Sequence, residues 1–443
     1  VRGTLLWGPA SGLREDPLGF LGWAHERYGD VVAVGGLGAD LLLVRHPDHV
    51  HRIFVEHRDN YDKGTRGYDV LRTYLNQGLL TSEGEFWRRQ RRIAQPAFHR
   101  RKIAAFAEAM VRLSDEVAQR WLTAAARGAT LDVDREMMGL TLAIVSETLL
   151  GSGTGARAEQ VGEAVEVMSR WARVAMFNPF TLPLWVPTAS NREIARHGAV
   201  LDAVVYGIIE QRRASGSEAE DLLGMLMHAR DEETGEGMTD QQLRDEVMTM
   251  FLAGHETTAN ALGWTFCLLS RHPTVRARLE AELDEVLGGR LPTLDDLPRL
   301  VFTERVVKES LRLYPPAWSV GRRAIAADVL GDVAVPAGAL VIAAPWSTHR
   351  HPDFWPNPEG FDPERFTPER EHARHKYAYF PFAAGPRVCI GNAFAMMEAV
   401  LALATIAARV RVSLVAGHPV VPEPLITLRP RYGLAMTPSA RPT

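Results

Sequence analysis

The chain has 443 residues, 46% hydrophobic and 23% charged, the balance of a globular protein with a sizeable core. Fifty basic side chains against 54 acidic ones leave a formal charge of −4, which excludes a global footprint for nucleic acid. Only two cysteines occur, Cys267 and Cys389, far apart and outside any C-x-x-C pair, so a disulfide framework and a zinc site are excluded and a reducing, cytoplasmic setting is expected. No linker-like run of Pro, Gly, Ser or like charge divides residues 1–443, which are expected to form one domain. The opening residues carry no apolar run of signal-peptide length, and stable membrane insertion is not expected.

In chain order, residues 17–28 read as a short amphipathic helix, residues 31–34 and 41–44 as a hairpin, and residues 47–56 as a helix with Pro47 in its first turn. Residues 63–80 show no sustained period and read as a loop, lipophilic enough through Tyr68, Leu71 and Leu75 to cover a pocket. In the next helix, residues 83–93, Trp87 and Arg91 lie four apart and share a face. Its cations Arg88, Arg89 and Arg92, with Arg100, Arg101 and Lys102, form the densest basic cluster in the chain. Apolar residues then recur at helical spacing over 101–150 and 158–174, with a glycine-rich break at 151–155. The stretch 176–187, with three prolines, is irregular, and a helix over 192–215 follows.

A T-D-Q-Q capping pattern at Thr239 opens a helix that Pro273 ends near Arg271, about 50 Å long. Its middle is apolar enough to suggest a membrane span, but His255, Glu256 and Asn260 sit near the centre, where a charge costs about 2.5 to 3.5 kcal/mol. A helix through a large core is therefore expected. There the sequence A-G-H-E-T-T, residues 253–258, puts a glycine and hydroxyls where they weaken a helix. Helices over 273–287 and 302–313 follow, the second carrying Glu309 and Arg312 on one face, and residues 329–344 read as a small sheet. Finally F-P-F-A-A-G-P-R-V-C-I-G, residues 380–391, sets Cys389 between glycines before an almost wholly apolar helix over 392–408. A thiol there faces free N–H groups and a helix dipole that favour a thiolate, a soft metal ligand. The tail beyond residue 437 is expected to fray.

Phe382, Gly385, Arg387, Cys389 and Gly391 resemble, at every fixed position, the heme-binding loop F-x-x-G-x-R-x-C-x-G of the cytochrome P-450 superfamily of heme-thiolate monooxygenases. Three further motifs resemble the family in its order: Trp87 and Arg91, the Ala253–Thr258 stretch, and Glu309 with Arg312 followed by Arg365 in P-E-R-F. The resemblance implies the triangular, mainly α fold with a small β-rich lobe, holding heme b between the long helix and the helix after Cys389. It implies Cys389 as iron ligand, with Ala253 and Gly254 where the long helix opens over the heme. Trp87, Arg91 and Arg323 are implied as propionate partners, in preference to Arg322. Glu256 and Thr257 are implied to deliver protons to dioxygen, and Glu309, Arg312 and Arg365 to form a structural triad.

The activity implied is insertion of one atom of O2 into a C–H or C=C bond of a lipophilic molecule such as a fatty acid, terpenoid or macrolide. Pocket candidates are Tyr68, Leu71, Leu75, Trp171, Phe177, Phe180, Leu252, Ala317 and Ser319. No flavin or iron–sulfur signature follows the cysteine loop, so electrons are expected from a ferredoxin or flavodoxin with its reductase. Such a partner would dock on the cations near Arg88, Arg92 and Arg100 of a monomer. Two rivals share the fold: a peroxide-driven peroxygenase, which retention of Glu256 and Thr257 disfavours, and a non-enzymatic heme-thiolate sensor.

Overall fold

The computed structural model describes residues 10–35, 40–151, 155–177, 181–215 and 221–441. Its helices, in chain order, are α1 (Ala10–Glu15), α2 (Pro17–Tyr28), α3 (Pro47–His51), α4 (Arg66–Leu75), α5 (Gly84–Ala94), α6 (Arg100–Ile103), α7 (Ala107–Ala126), α8 (Val133–Leu150) and α9 (Gly155–Phe177). They continue with α10 (Ala189–Ser215), α11 (Leu222–His228), α12 (Asp240–Arg271), α13 (Pro273–Leu287), α14 (Val301–Leu313), α15 (Pro345–Thr348), α16 (Pro368–Ala373) and α17 (Asn392–Ala407). Strands β1 (Val31–Val34), β2 (Leu41–Val44), β3 (Tyr61–Asp62), β5 (Val320–Ala324) and β8 (Leu340–Ala343) form one sheet in the order β1-β2-β8-β5-β3. Three smaller sheets join β4 (Leu131–Asp132), β12 (Ala435–Ala440) and β9 (Val410–Leu414); β6 (Asp328–Leu330) and β7 (Val333–Val335); and β10 (Pro422–Pro424) and β11 (Leu428–Pro430).

The helical lobe is built around α12. Thr239 caps it reciprocally with Gln242, as its sequence predicts. Nearly every residue from Leu243 to Leu269 is buried, which is why the apolar side has no polar counterpart. The helix packs on α8, α14 and α17. Trp264 stacks on Tyr314 at 4.1 Å, in the segment after α14, and donates through Nε1 to the Leu428 carbonyl at 3.0 Å. No helix among the described residues is long and apolar enough to cross a membrane.

Three expectations are corrected. Residues 66–75 are a helix, because Val70, Leu71, Tyr74 and Leu75 recur at four-residue intervals and are buried against α12 and α9. The tail beyond residue 437 does not fray through Ala440: Thr437 to Ala440 pair with Ser413 to Val410 across β12 and β9. The helix over 47–56 keeps its bounds but widens at Arg52 into a π-helical turn.

Candidate active site

The cysteine loop leads directly into α17, which packs on α12. Cys389 lies just before α17, its N–H donating to the Phe382 carbonyl at 2.9 Å, so that Phe382, half-buried, closes the loop on itself. Gly385 has φ +69°, and a Cβ there would stand 2.0 Å from the Phe54 carbonyl oxygen, so the π-helical turn and the cysteine loop meet through this glycine. Gly391 has open room: the nearest atom a Cβ would meet is Phe98 Cε1, at 3.9 Å. The thiol is exposed, although protein packs densely around the sulfur. Burial pushes it above the ordinary thiol range, against the Gly391 N–H and Arg91, which favour the anion. A metal cation bound to the sulfur would favour the thiolate further.

The long helix α12 is exposed at Ala253 and half-exposed at Gly254 and Thr257, while the residues around them are buried. These exceptions mark where the helix faces open space rather than protein. Thr257 donates its hydroxyl to the Ala253 carbonyl at 2.6 Å, a local bond of the kind that loosens a helix. Gly254 answers to the opposite side, where a Cβ would stand 3.2 Å from Val145 of α8. Glu256 is buried and accepts from Thr427 Oγ1 at 2.5 Å. His255 is buried, with Nδ1 3.2 Å from the Phe251 carbonyl, and is no ligand candidate.

Beside the cysteine loop lies a cluster of cations. Arg387 lies 3.9 Å over the Trp87 ring, donates to the Ser82 carbonyl at 2.9 Å and pairs with Glu83 at 3.2 Å. Arg91 donates to the Val388 carbonyl at 2.9 Å. Here one expectation is corrected: Arg323 points to solvent and forms an ion pair with Asp62, Nη2 to Oδ2 at 2.5 Å. The inward guanidinium is Arg322, buried 4.9 Å from the Phe54 ring and donating to Tyr68 Oη at 3.1 Å. The cause is strand alternation, since β5 pairs with β3 and β8 and successive side chains take opposite faces.

Lys63, which sequence reasoning passed over, joins this cluster, donating to the Leu80 carbonyl at 2.8 Å. Burial, with Arg387 and Arg322 nearby, holds its ammonium well below the usual lysine range. Glu83 pairs with Arg387 and Glu246 lies near Lys63, but the cations outnumber these acids, which fits a ligand that brings its own carboxylates. The donor set therefore fits heme b: the Cys389 sulfur would hold the iron, and Arg387, Arg91, Arg322 and Lys63 would hold the propionates.

The other predicted residues divide. Leu71, Leu75 and Leu252 are buried along α4 and α12, and Ala317 and Ser319 are half-buried before β5. Tyr68 is committed to Arg322 and to Lys63, 5.5 Å over its ring, so it belongs to the cation cluster. Trp171 lines an outer groove with Val174, Leu182 and Ile194. Phe180 lies outside the described residues, as does the side chain of Phe177. Arg312 meets Glu309 at 2.6 and 2.8 Å, and Arg365 meets it at 3.3 Å, with further bonds from both arginines to carbonyls of residues 349–360. Unforeseen was Glu398 of α17, a buried carboxyl that burial pushes well above its usual range and that Thr258 hydrogen-bonds beneath α12.

The expected docking cations differ in how they are partnered. Arg88 pairs with Glu85 and Asp59, Arg89 with Asp231 and Glu236, and Arg92 with Asp231 and Glu233. Arg100, Arg101 and Lys102 are exposed on α6 and, among the described residues, have no acidic partner.

The cytochrome P450 family model matches residues 2–437. Cyclooctatin synthase of Streptomyces melanosporofaciens is 37% identical over 428 residues, covering 96% of this chain and 92% of the relative. Cyclooctat-9-en-7-ol 5-monooxygenase of the same organism is 38% identical, over 93% and 88%. Pentalenene oxygenase of Streptomyces avermitilis is 35% identical, over 95% and 92%. The heme domain of cytochrome P450DA superposes with a TM-score of 0.90 at 28% identity, covering 99% of this chain and 96% of that one. The chain belongs to the cytochrome P450 family and is a heme b-dependent monooxygenase.

Proposed function

We propose that the enzyme inserts one atom of O2 into a terpenoid-like hydrocarbon or alcohol held against Leu71, Leu75, Leu252, Ala317 and Ser319. The observation that carries this reading is the exposure of Ala253 and the part-exposure of Thr257 on an otherwise buried α12, together with the exposed Cys389 thiol. Relatives named for pentalenene and for cyclooctat-9-en-7-ol favour a polycyclic carbon skeleton over a fatty acid.

Cys389 holds the heme iron in this reading, and heme bound through a thiolate supplies O2 activation. Trp87, Arg91, Arg322, Arg387 and Lys63 hold the propionates. The half-exposed Thr257 presents a hydroxyl, and Glu256, buried behind it, moves protons toward that hydroxyl once it leaves Thr427. Glu309, Arg312 and Arg365 fasten the segment that leads into the cysteine loop and take no part in the chemistry. A ferredoxin or flavodoxin with an acidic surface docks on Arg100, Arg101 and Lys102, which lie next to Phe98 and so beside Gly391.

Spin-state shifts of the heme spectrum, followed by product analysis with a ferredoxin and its reductase, test the reading. Polycyclic terpenes and their alcohols should shift the spectrum and yield hydroxylated or epoxidised products. Fatty acids that bind and turn over better, or turnover with peroxide and none with the redox chain, would overturn it.

A further inference from the structure

The hydroxyl that holds Glu256 belongs to a distant part of the chain. Strands β10 and β11 pair from Pro422–Pro430 to Pro424–Leu428, leaving Leu425 to Thr427 as a tight turn closed by the Leu425 N–H on the Thr427 carbonyl at 3.0 Å. Thr427 is 6% exposed. Its hydroxyl has one proton, which it gives to Glu256 Oε1, and its oxygen accepts from Asn260 Nδ2 at 3.0 Å. Glu256 and Asn260 are four apart on α12, so the turn is pinned across one face of that helix, one turn from Thr257. Asn260 Oδ1 is buried without a partner. Among the described residues the amide's hydrogen-bond partner is Thr427, and losing that hydroxyl would loosen both neighbours.

The same turn is tied to the segment around Ala317. Trp318 Nε1 donates to the Leu425 carbonyl at 2.8 Å, and the Leu428 N–H donates to the Pro316 carbonyl at 2.9 Å. Pro316 and Trp318 flank Ala317, which is half-buried and which the proposed function sets against substrate. A body pressing on Ala317 thus bears on the two anchors of the turn, and through Thr427 on Glu256. Arg429 and Asp134 stand around the same acid, and His255 precedes it in the helix.

We propose that Thr427 is the positioning residue of the proton-delivery acid: it holds the Glu256 carboxyl against the β10–β11 turn, and displacement of that turn by substrate at Ala317 releases it toward Thr257. This rests on the reading of Glu256 as the proton-delivering acid. The proposal moves no electrons, and it trades one hydrogen bond of Glu256 for another.

The test uses the heme-loaded enzyme and the variants Thr427→Val, Thr427→Ser and Glu256→Gln. Infrared spectra identify the Glu256 carboxyl band by its loss in Glu256→Gln. That band should shift in Thr427→Val and return in Thr427→Ser, which a merely structural role would not produce. Product formed per O2 consumed should fall about fivefold in Thr427→Val, the equivalent of one hydrogen bond of about 1 kcal/mol, with peroxide rising to match. Thr427→Val combined with Glu256→Gln should be no worse than Glu256→Gln. If the valine variant does not fold, Thr427→Ala, which leaves room for a water, replaces it. An unmoved band, or a moved band with unchanged coupling, overturns the proposal. Unchanged coupling in Glu256→Gln overturns instead the acid reading on which it rests.

Discussion

Exchanging the inner and outer arginines of β5 for alanine separates two neighbours that the sequence cannot tell apart. Arg322 is buried among Phe54, Tyr68, Lys63 and Arg387, whereas Arg323 is exposed and paired with Asp62. Truncating one member of a buried, hydrogen-bonded charge pair costs about 2 to 5 kcal/mol. Because Lys63 and Arg387 remain to share the propionates, the low end applies, and about 2 kcal/mol corresponds to heme held about 30-fold more weakly in Arg322→Ala. Without heme the sign reverses: burial and the neighbouring guanidinium groups depress Lys63, so removing Arg322 relieves repulsion. The heme-free Arg322→Ala chain should be as stable as wild type or more so, while the loaded protein loses thermal stability. Arg323→Ala breaks only an exposed pair worth about 0 to 1 kcal/mol and should keep its heme. Transfer of heme to a scavenging protein, with melting curves for both forms, gives all four values. Equal heme loss from the two variants, or faster loss from Arg323→Ala, would refute the assignment.

Gly385→Ala should fail to load heme and lose about 1 to 3 kcal/mol or more, because its φ of +69° and the Phe54 carbonyl leave no room for a Cβ; melting temperature and heme content check this. Arg312→Ala breaks the buried pair with Glu309, leaving that carboxylate Arg365 and the Asp362 N–H, and should cost about 3 kcal/mol in denaturant titration. Glu246 is a further buried acid, accepting from the Leu79 N–H at 3.2 Å, and burial pushes it up to about 8. Its folded form binds a proton more tightly than its unfolded form, so its contribution is fully present below the ordinary carboxylate range and is lost as pH rises toward about 8. Glu246→Gln should remove that slope from the heme-free chain, and an unchanged slope would contradict the assignment. Reversing Arg100, Arg101 and Lys102 should slow reduction by a ferredoxin and flatten its salt dependence, while reversing Arg88 and Arg92 should leave both intact.

What the sequence conveyed depended on how local the signal was. The cysteine loop, the capped helix at Thr239 and the Glu309–Arg312 pair are each written within a few residues, and they could be read from spacing. The choice between Arg322 and Arg323 turns on which face of β5 is buried, and that is fixed by pairing with β3 and β8 far along the chain. Arg92 looked like a free cation because its partner Asp231 is 139 residues away, and Thr427 meets Glu256 across 171 residues. Lys63 and Glu398 carry no motif that the reading recognised. Their roles follow from burial beside other charged or polar groups, which only the packed chain shows.

The central claim, that Cys389 holds heme facing Thr257, is tested most directly by the spectrum of the reduced, carbon monoxide-bound protein. Wild type should show the strongly red-shifted Soret band of thiolate ligation, and Cys389→Ser should lose it while Cys267→Ser keeps it. A band at the position given by a neutral histidine ligand in the wild type, or one that survives in Cys389→Ser, would contradict the account.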